Sequence, residues 1–232
     1  MENEKKPSFG KTFLDALYVK NPVFSLFLGL TIALLATNRL QTAFIVGLIV
    51  FVDLLLTESI VSLLRNHLGK AGAYLLSSAL SAGFATLGGI LVSNTMGYLI
   101  DAKTASDSLV EILTVLVPFA ATSSLVLAKS EDALTRPFAL TLADSLGSGL
   151  GYLLALLVLA LFREFLATGG VTFIGPDRLS YGPMLKNFPK ISLLAKPFGG
   201  FLFAGLFSGI HGSIVLGIRK HQEKRLSAQE GK

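Results

Sequence analysis

Apolar residues in this chain come in long, nearly unbroken blocks separated by short polar stretches. Six blocks can be marked, at roughly 22–37, 42–64, 72–100, 108–128, 138–162 and 197–218. Most reach the roughly 20 residues that an α-helix needs to cross a hydrocarbon core. Each stops at charged or turn-forming residues, among them Asn38-Arg39, Arg65-Asn66-His67, Asp101-Ala102-Lys103, Glu131-Asp132 and Arg163-Glu164. Lipid offers the backbone no hydrogen-bond partner, so blocks of this kind are expected as helices. The pattern predicts an all-α integral membrane protein with six transmembrane helices. The first block is short and carries Pro22 at its first turn, which suits a helix start. A half-helix that stops near mid-membrane is expected there. Some twenty mostly polar residues precede that block without a small-residue cleavage site, so no cleavable signal peptide is expected.

Composition agrees. Hydrophobic residues make up 52% of the 232 and charged residues 15%, with a mean hydropathy of +0.66. Soluble domains carry about a quarter charged residues, which excludes a soluble enzyme. There is no cysteine, so the chain alone offers no disulfide, zinc-thiolate site, haem attachment site or cysteine-held iron–sulfur cluster. Nor is there a phosphate-cradling glycine loop, a nucleophile elbow or a His-Glu-x-x-His metal motif.

The net charge of +5 gains meaning only from its location. With the N-terminus inside, Lys5, Lys6, Lys11, Lys20, Arg65, Lys70, Lys129, Arg136, Arg219, Lys220, Lys224, Arg225 and Lys232 fall on one face of the membrane. Arg39, Lys103, Arg163, Arg178, Lys186, Lys190 and Lys196 fall on the other. Cytoplasmic loops are enriched in Lys and Arg, so both termini are expected in the cytoplasm. Residues 1–20 then form a cytoplasmic N-terminal segment, 21–218 the membrane domain and 219–232 a basic cytoplasmic tail. That tail reads as a flank touching anionic lipid, and no nucleic-acid partner is expected.

Six spans divide into three plus three, and an odd number of spans per repeat makes the halves face opposite ways. Residues 21–100 and 108–218 are the expected halves of such an inverted repeat, with an irregular loop over 164–196 on the outer face. Inverted repeats place function near the midplane, where interrupted helices meet. Span one carries Leu28-Gly29-Leu30-Thr31-Ile32-Ala33, and span four carries Val117-Pro118-Phe119-Ala120-Ala121-Thr122-Ser123-Ser124. Both are expected to be interrupted or half helices. Small residues four apart, Gly147 with Gly151 and Gly205 with Gly209, suit close helix packing within the bundle.

Carboxylates at bilayer depth are costly and tend to be functional. Asp53 lies near the middle of span two, and Glu58 follows on a different part of its circumference. Both are candidates for a proton or sodium path. Asp144, beside Ser145 and Ser148 in span five, is a third candidate, with an interfacial cap or intrabundle hydrogen bond as its alternative. Glu111 fits a helix N-terminal acid. Asn94 and Thr95 are candidates for an aqueous path or for interhelical hydrogen bonds, and His211 between Gly209 and Gly212 reads as a packed, hydrogen-bonded ring.

Asn21-Pro22-Val23-Phe24-Ser25-Leu26-Phe27-Leu28-Gly29-Leu30, Ser62-Leu63-Leu64-Arg65, Pro118 with Ser123-Ser124, Asp144-Ser145-Leu146-Gly147-Ser148-Gly149-Leu150-Gly151 and Arg163-Glu164-Phe165-Leu166 occur in an order that resembles the small six-helix membrane subunits of the Rnf and sodium-pumping NADH:quinone oxidoreductase (NQR) complexes. The resemblance spans about residues 20–218, and the charged N-terminal extension matches the RnfE/NqrD type rather than its RnfA/NqrE relative. It implies a membrane subunit of an ion-translocating electron-transport complex in a bacterial or archaeal cytoplasmic membrane. An RnfA/NqrE-like sister and flavoprotein membrane subunits would be its partners. Family members place cysteines in spans one and four around a shared iron–sulfur cluster; the matching positions here are Thr31 and Ser124. Iron–sulfur clusters want thiolates, so the cluster role does not carry over, and flavin is expected on partners only. Glu58 stands where the family usually has asparagine. The chain is therefore expected to act as a scaffold or ion conduit, non-catalytic by itself or coupled to the redox chemistry of partners. A stand-alone secondary transporter or ion channel on the same scaffold, built around Asp53, Glu58 and Asp144, is the alternative.

Overall fold

The computed structural model describes residues 8–99, 116, 119, 123–173, 180–181 and 189–230. Helix α1 (Phe9–Leu14) runs into a π-helical turn (Asp15–Val19) and is followed by α2 (Leu30–Ala36), α3 (Leu40–Leu63) and α4 (Lys70–Leu99). Then come α5 (Ser124–Thr135), α6 (Phe138–Thr168) and, after a 3-10 turn at Ser192–Ala195, α7 (Pro197–Glu230). The only strand pairing among the described residues is antiparallel, between β1 (Thr172–Phe173) and β2 (Ser180–Tyr181), beyond the end of α6. The fold is all-α. Among the described residues four helices, α3, α4, α6 and α7, are long and apolar enough to cross a membrane.

The centre of the bundle is the antiparallel pair α3 and α6. Along it, Gly47 approaches Leu153 and Leu156, Gly149 approaches Phe51, Glu58 meets Ser145 and Ser62 meets Thr141. Contacts thus ascend one helix while descending the other. The missing side chains at Gly47 and Gly149 let the backbones come together, as close packing in lipid requires. Leu54, Val50, Leu156, Leu159 and Tyr152 fill the seam and are buried. By contrast α4 and α7 bury only 17% and 22% of their most apolar stretch, against 56% for α3 and α6. Their outward rows, including Leu75, Leu87 and Leu91 on α4 and Phe201, Leu206 and Ile210 on α7, remain exposed.

Helix boundaries follow from local chemistry. Ser123 caps α5 by accepting from the Leu125 N–H at 3.1 Å, and α5 ends at Arg136, held extended before Pro137. Gly169, in the left-handed region at φ 79°, ends α6. Gly29 and Ser123 directly precede the short helices α2 and α5; most of the span-four stretch before Ser123 lies outside the described residues.

Four details differ from the sequence expectation. Pro22 does not start a helix. Residues 22–29 form successive turns, because Asn21 accepts from the Val23 and Phe24 N–H groups at 3.0 and 3.1 Å and turns the chain there. Residues 9–19 are helical and packed on α6, where Gly147 meets Phe13 and Ala16, and Gly151 meets Leu17 and Asn21. The Gly147 and Gly151 pair therefore packs within the chain, whereas Gly205 and Gly209 face open space. Finally, Arg163-Glu164 and Lys129 do not mark helix ends: all three are buried inside α6 or α5.

Candidate functional site

The polar groups of the bundle gather on two sides of α3, one facing α4 and one facing α6. Asp53 is buried on the side of α3 that faces α4. Thr57, one turn on, donates to Oδ1 at 3.1 Å, and Ser81 of α4 donates to Oδ2 at 2.6 Å. Both carboxylate oxygens are thereby partnered by hydroxyls. Glu58 points instead toward α6, where the Ser145 hydroxyl lies 2.9 Å from Oε2. The same hydroxyl lies 2.9 Å from the carbonyl of Thr141. The Ser145 hydroxyl is thus shared between the Glu58 carboxyl and the Thr141 carbonyl. Glu58 Oε1 and Ser148 Oγ are buried with no partner among the described residues. Ser62 donates to Thr141 Oγ1 at 3.3 Å and extends the polar strip.

Asp144, one residue from Ser145, receives Lys129 Nζ at 2.6 Å on Oδ2 and Arg136 Nη1 at 3.0 Å on Oδ1. Lys129 and Asp144 keep only 4% and 5% of their side chains exposed, so this ion pair is shielded from water. Arg136 also reaches Asp132 at 3.5 Å. Lys129 and Asp144 both lie within electrostatic reach of Glu58. The structure therefore brings Glu58 and Asp144 into one network and leaves Asp53 apart, on the α4 side.

Lys129 and Arg136 were not among the residues that the sequence singled out for this site. Lys129 adjoins the end of an apolar block and reads as a solvated flank. The signal that would have found it is an acid early in the following span, which needs a buried cation.

Two helix starts meet beside this network. The Gly29 N–H donates to Ser124 Oγ at 3.0 Å, and Tyr152 of α6 donates to the Gly29 carbonyl at 2.9 Å. Thr31 and Ser124 thus stand in the first turns of α2 and α5, both exposed. Hydroxyls are poor soft ligands and Ser124 already accepts a backbone hydrogen bond, so this donor set does not fit an iron–sulfur cluster.

The far ends of the short helices are held by arginines from opposite halves of the chain. Arg163 of α6, fully buried, donates to the Leu34 carbonyl at 2.8 Å and to Thr37 Oγ1 at 2.5 Å where α2 ends. It also binds the carbonyls of Leu194, Ala195 and Lys196. Arg65, just past α3, donates to the Arg136 carbonyl where α5 ends. These forks satisfy carbonyls that helix termini leave without partners. Glu164 accepts from the Leu40 N–H at 2.8 Å and caps α3.

The remaining candidates are dispersed. His211 Nδ1 pairs with Ser25 Oγ at 3.3 Å and its ring packs on Tyr18 and Phe24, as a packed histidine should. Asn94 and Thr95 are exposed on α4, and Thr95 bonds back to the Leu91 carbonyl. Glu111 lies outside the described residues.

A bundle of long apolar helices, centred on an antiparallel pair and holding two short helices start to start, defines a polytopic membrane protein with a polar interior. The chain belongs to the Rnf-Nqr family: the family model described as "Rnf-Nqr subunit, membrane protein" matches residues 9–208. Among curated proteins, it is 26% identical over 229 residues to NqrD, the D-type component of the Na(+)-translocating NADH-quinone reductase, of Aeromonas salmonicida, covering 97% of this chain and 99% of that protein. The NqrD protein of Haemophilus influenzae is 28% identical over 165 residues, which cover 71% and 74% of the two chains.

Proposed function

We propose that this chain is a membrane subunit of an ion-translocating electron-transport assembly of the Rnf/NQR kind, in which it serves as scaffold and ion conduit and holds no redox centre of its own. The observation that carries this reading is the end-to-end similarity to NqrD proteins of the Na(+)-translocating NADH-quinone reductase. An RnfA/NqrE-like sister and flavin-bearing membrane subunits are its partners and perform the redox chemistry. Thr31 and Ser124 stand at the family's ligand positions without thiolates, so no electron step is assigned to them.

The six-span, 3+3 inverted repeat is part of the same proposal. Support comes from the crosswise caps: Arg65 follows the second span and holds the end of α5, while Arg163 near the end of the fifth holds the end of α2. Antiparallel packing of α3 and α6 is what a two-fold axis in the membrane plane would produce. Lys20, Arg136 and Arg219 border one cleft and Arg65 touches Arg136, which supports the charge grouping that puts both termini in the cytoplasm.

For the conduit, a proton or sodium ion would pass through the polar interior around α3, using Asp53 between α3 and α4 and Glu58 with Asp144 on the α6 side. Asp53 offers a carboxylate whose hydroxyl partners can turn to coordinate a cation. Glu58 Oε1 and Ser148 Oγ are oxygens free to take an ion or water among the described residues. The Lys129–Asp144 pair keeps a compensating charge within reach. Native isolation tests the assignment: flavoprotein membrane subunits are expected to co-purify with the chain, and a chain that purifies without any flavin-bearing partner would refute it.

A further inference from the structure

A cleft of about 790 Å³ opens between the 19–28 segment, α5 and α7, with Asp144 of α6 also in its lining. Its lining has two chemistries. Lys20, Lys129, Arg136 and Arg219 set four cations against two carboxylates, Asp132 and Asp144. Asp144 is already occupied by Lys129 and Arg136, and Asp132 faces Arg136. Lys20 and Arg219 have no carboxylate within 4.0 Å among the described residues, so the excess positive charge resides on them. The rest of the lining is apolar, with Phe24, Phe27, Val215 and Leu216 contributing. Phe27 and Leu216 are 51% and 58% exposed, an apolar surface waiting for a cover.

The depth of these cations matters. Arg219 is the first charge after the apolar stretch of α7, Arg136 ends α5 and Lys20 ends the π-helical turn, so all three stand where membrane elements reach the headgroup layer. We propose that this cleft binds an anionic phospholipid, with its phosphate held by Lys20 and Arg219 and its acyl chains laid against Phe24, Phe27 and Leu216. Basic pockets at membrane-helix ends suit anionic headgroups, and a cleft of this volume falls in the usual range for ligand sites. A free anion would use the cations but leave the phenyl and leucyl surfaces uncovered. A neutral lipid would cover those surfaces and leave Lys20 and Arg219 without a counter-charge.

The test uses the natively isolated assembly in nanodiscs, with lipid retention followed by native mass spectrometry as phosphatidylglycerol or phosphatidylcholine is titrated in. Phosphatidylglycerol should be retained in preference, and Lys20→Gln with Arg219→Gln should weaken that binding about 30-fold while the unfolding temperature stays unchanged. Arg39→Gln with Lys196→Gln, at the other end of the bundle, should have no effect. Should the double variant fold poorly, Arg219→Gln alone, at an exposed position, should show a loss of about fivefold. Equal retention of the two lipids overturns the proposal, as does unchanged binding in the Lys20 and Arg219 variants. Displacement of the lipid by millimolar inorganic phosphate would mean a free-anion site. Lipid bound by the isolated chain but absent from the assembly would mean that a protein segment fills the cleft.

Discussion

The backbone N–H of Gly29 donates to the hydroxyl of Ser124 at 3.0 Å and ties the start of α2 to the start of α5. Gly29 sits in the left-handed region at φ +64°, and a Cβ there would lie 2.8 Å from Tyr152 Cε2. Gly29→Ala therefore meets both backbone strain and a clash, and should cost at least about 2 kcal/mol. Ser124→Ala removes one acceptor and should cost about 1 kcal/mol. Thermal unfolding of the detergent-solubilised chain should rank Gly29→Ala below Ser124→Ala, and both below the parent.

Breaking the Lys129–Asp144 pair from one side leaves the buried Asp144 with the partly exposed Arg136 as its remaining cation. Lys129→Met should lose about 3 kcal/mol, the lower end for a broken buried pair. Adding Asp144→Leu should recover most of that loss, because Arg136 is partly exposed and keeps Asp132 as a partner. A double-mutant cycle read by unfolding measures the coupling directly; simple additivity of the two losses would show that the pair is not energetically linked.

Close approach of the N-terminal helix depends on glycine in α6. A Cβ at Gly147 would lie 2.4 Å from the Phe13 carbonyl, whereas Gly209 has nothing within 4 Å. Gly147→Leu should displace residues 9–19 and expose them to protease. Gly209→Leu should leave the isolated chain's stability and protease pattern unchanged.

Asp53→Asn keeps an oxygen to accept from Ser81 or Thr57 but loses the charge. In the intact assembly it should abolish ion uptake while the partners still bind and the flavins are still reduced. Uptake at the parental rate would remove Asp53 from the path.

Much of this was legible in the sequence because the signals are local. Block length announces the long helices, and Gly29 and Ser123 announce the starts of α2 and α5, since a left-handed glycine and a capping hydroxyl are properties of single residues. What misled is charge at block ends. Arg163 and Glu164 look like solvated punctuation, yet they bind the carbonyls that end α2 and the N–H that starts α3, partners more than 120 residues away in sequence. Lys129 is the same case, matched to an acid in the next helix. Pro22 misled because Asn21 turns the chain before a helix can begin.

The most direct test of an electron-driven, ion-translocating role places the natively isolated assembly, and separately this chain alone, in liposomes and follows sodium and proton uptake when a reductant is supplied. Uptake is expected from the assembly only, and only with the reductant. Uptake by the chain alone, driven by an ion or solute gradient without electron transfer, would contradict that role and identify a stand-alone transporter.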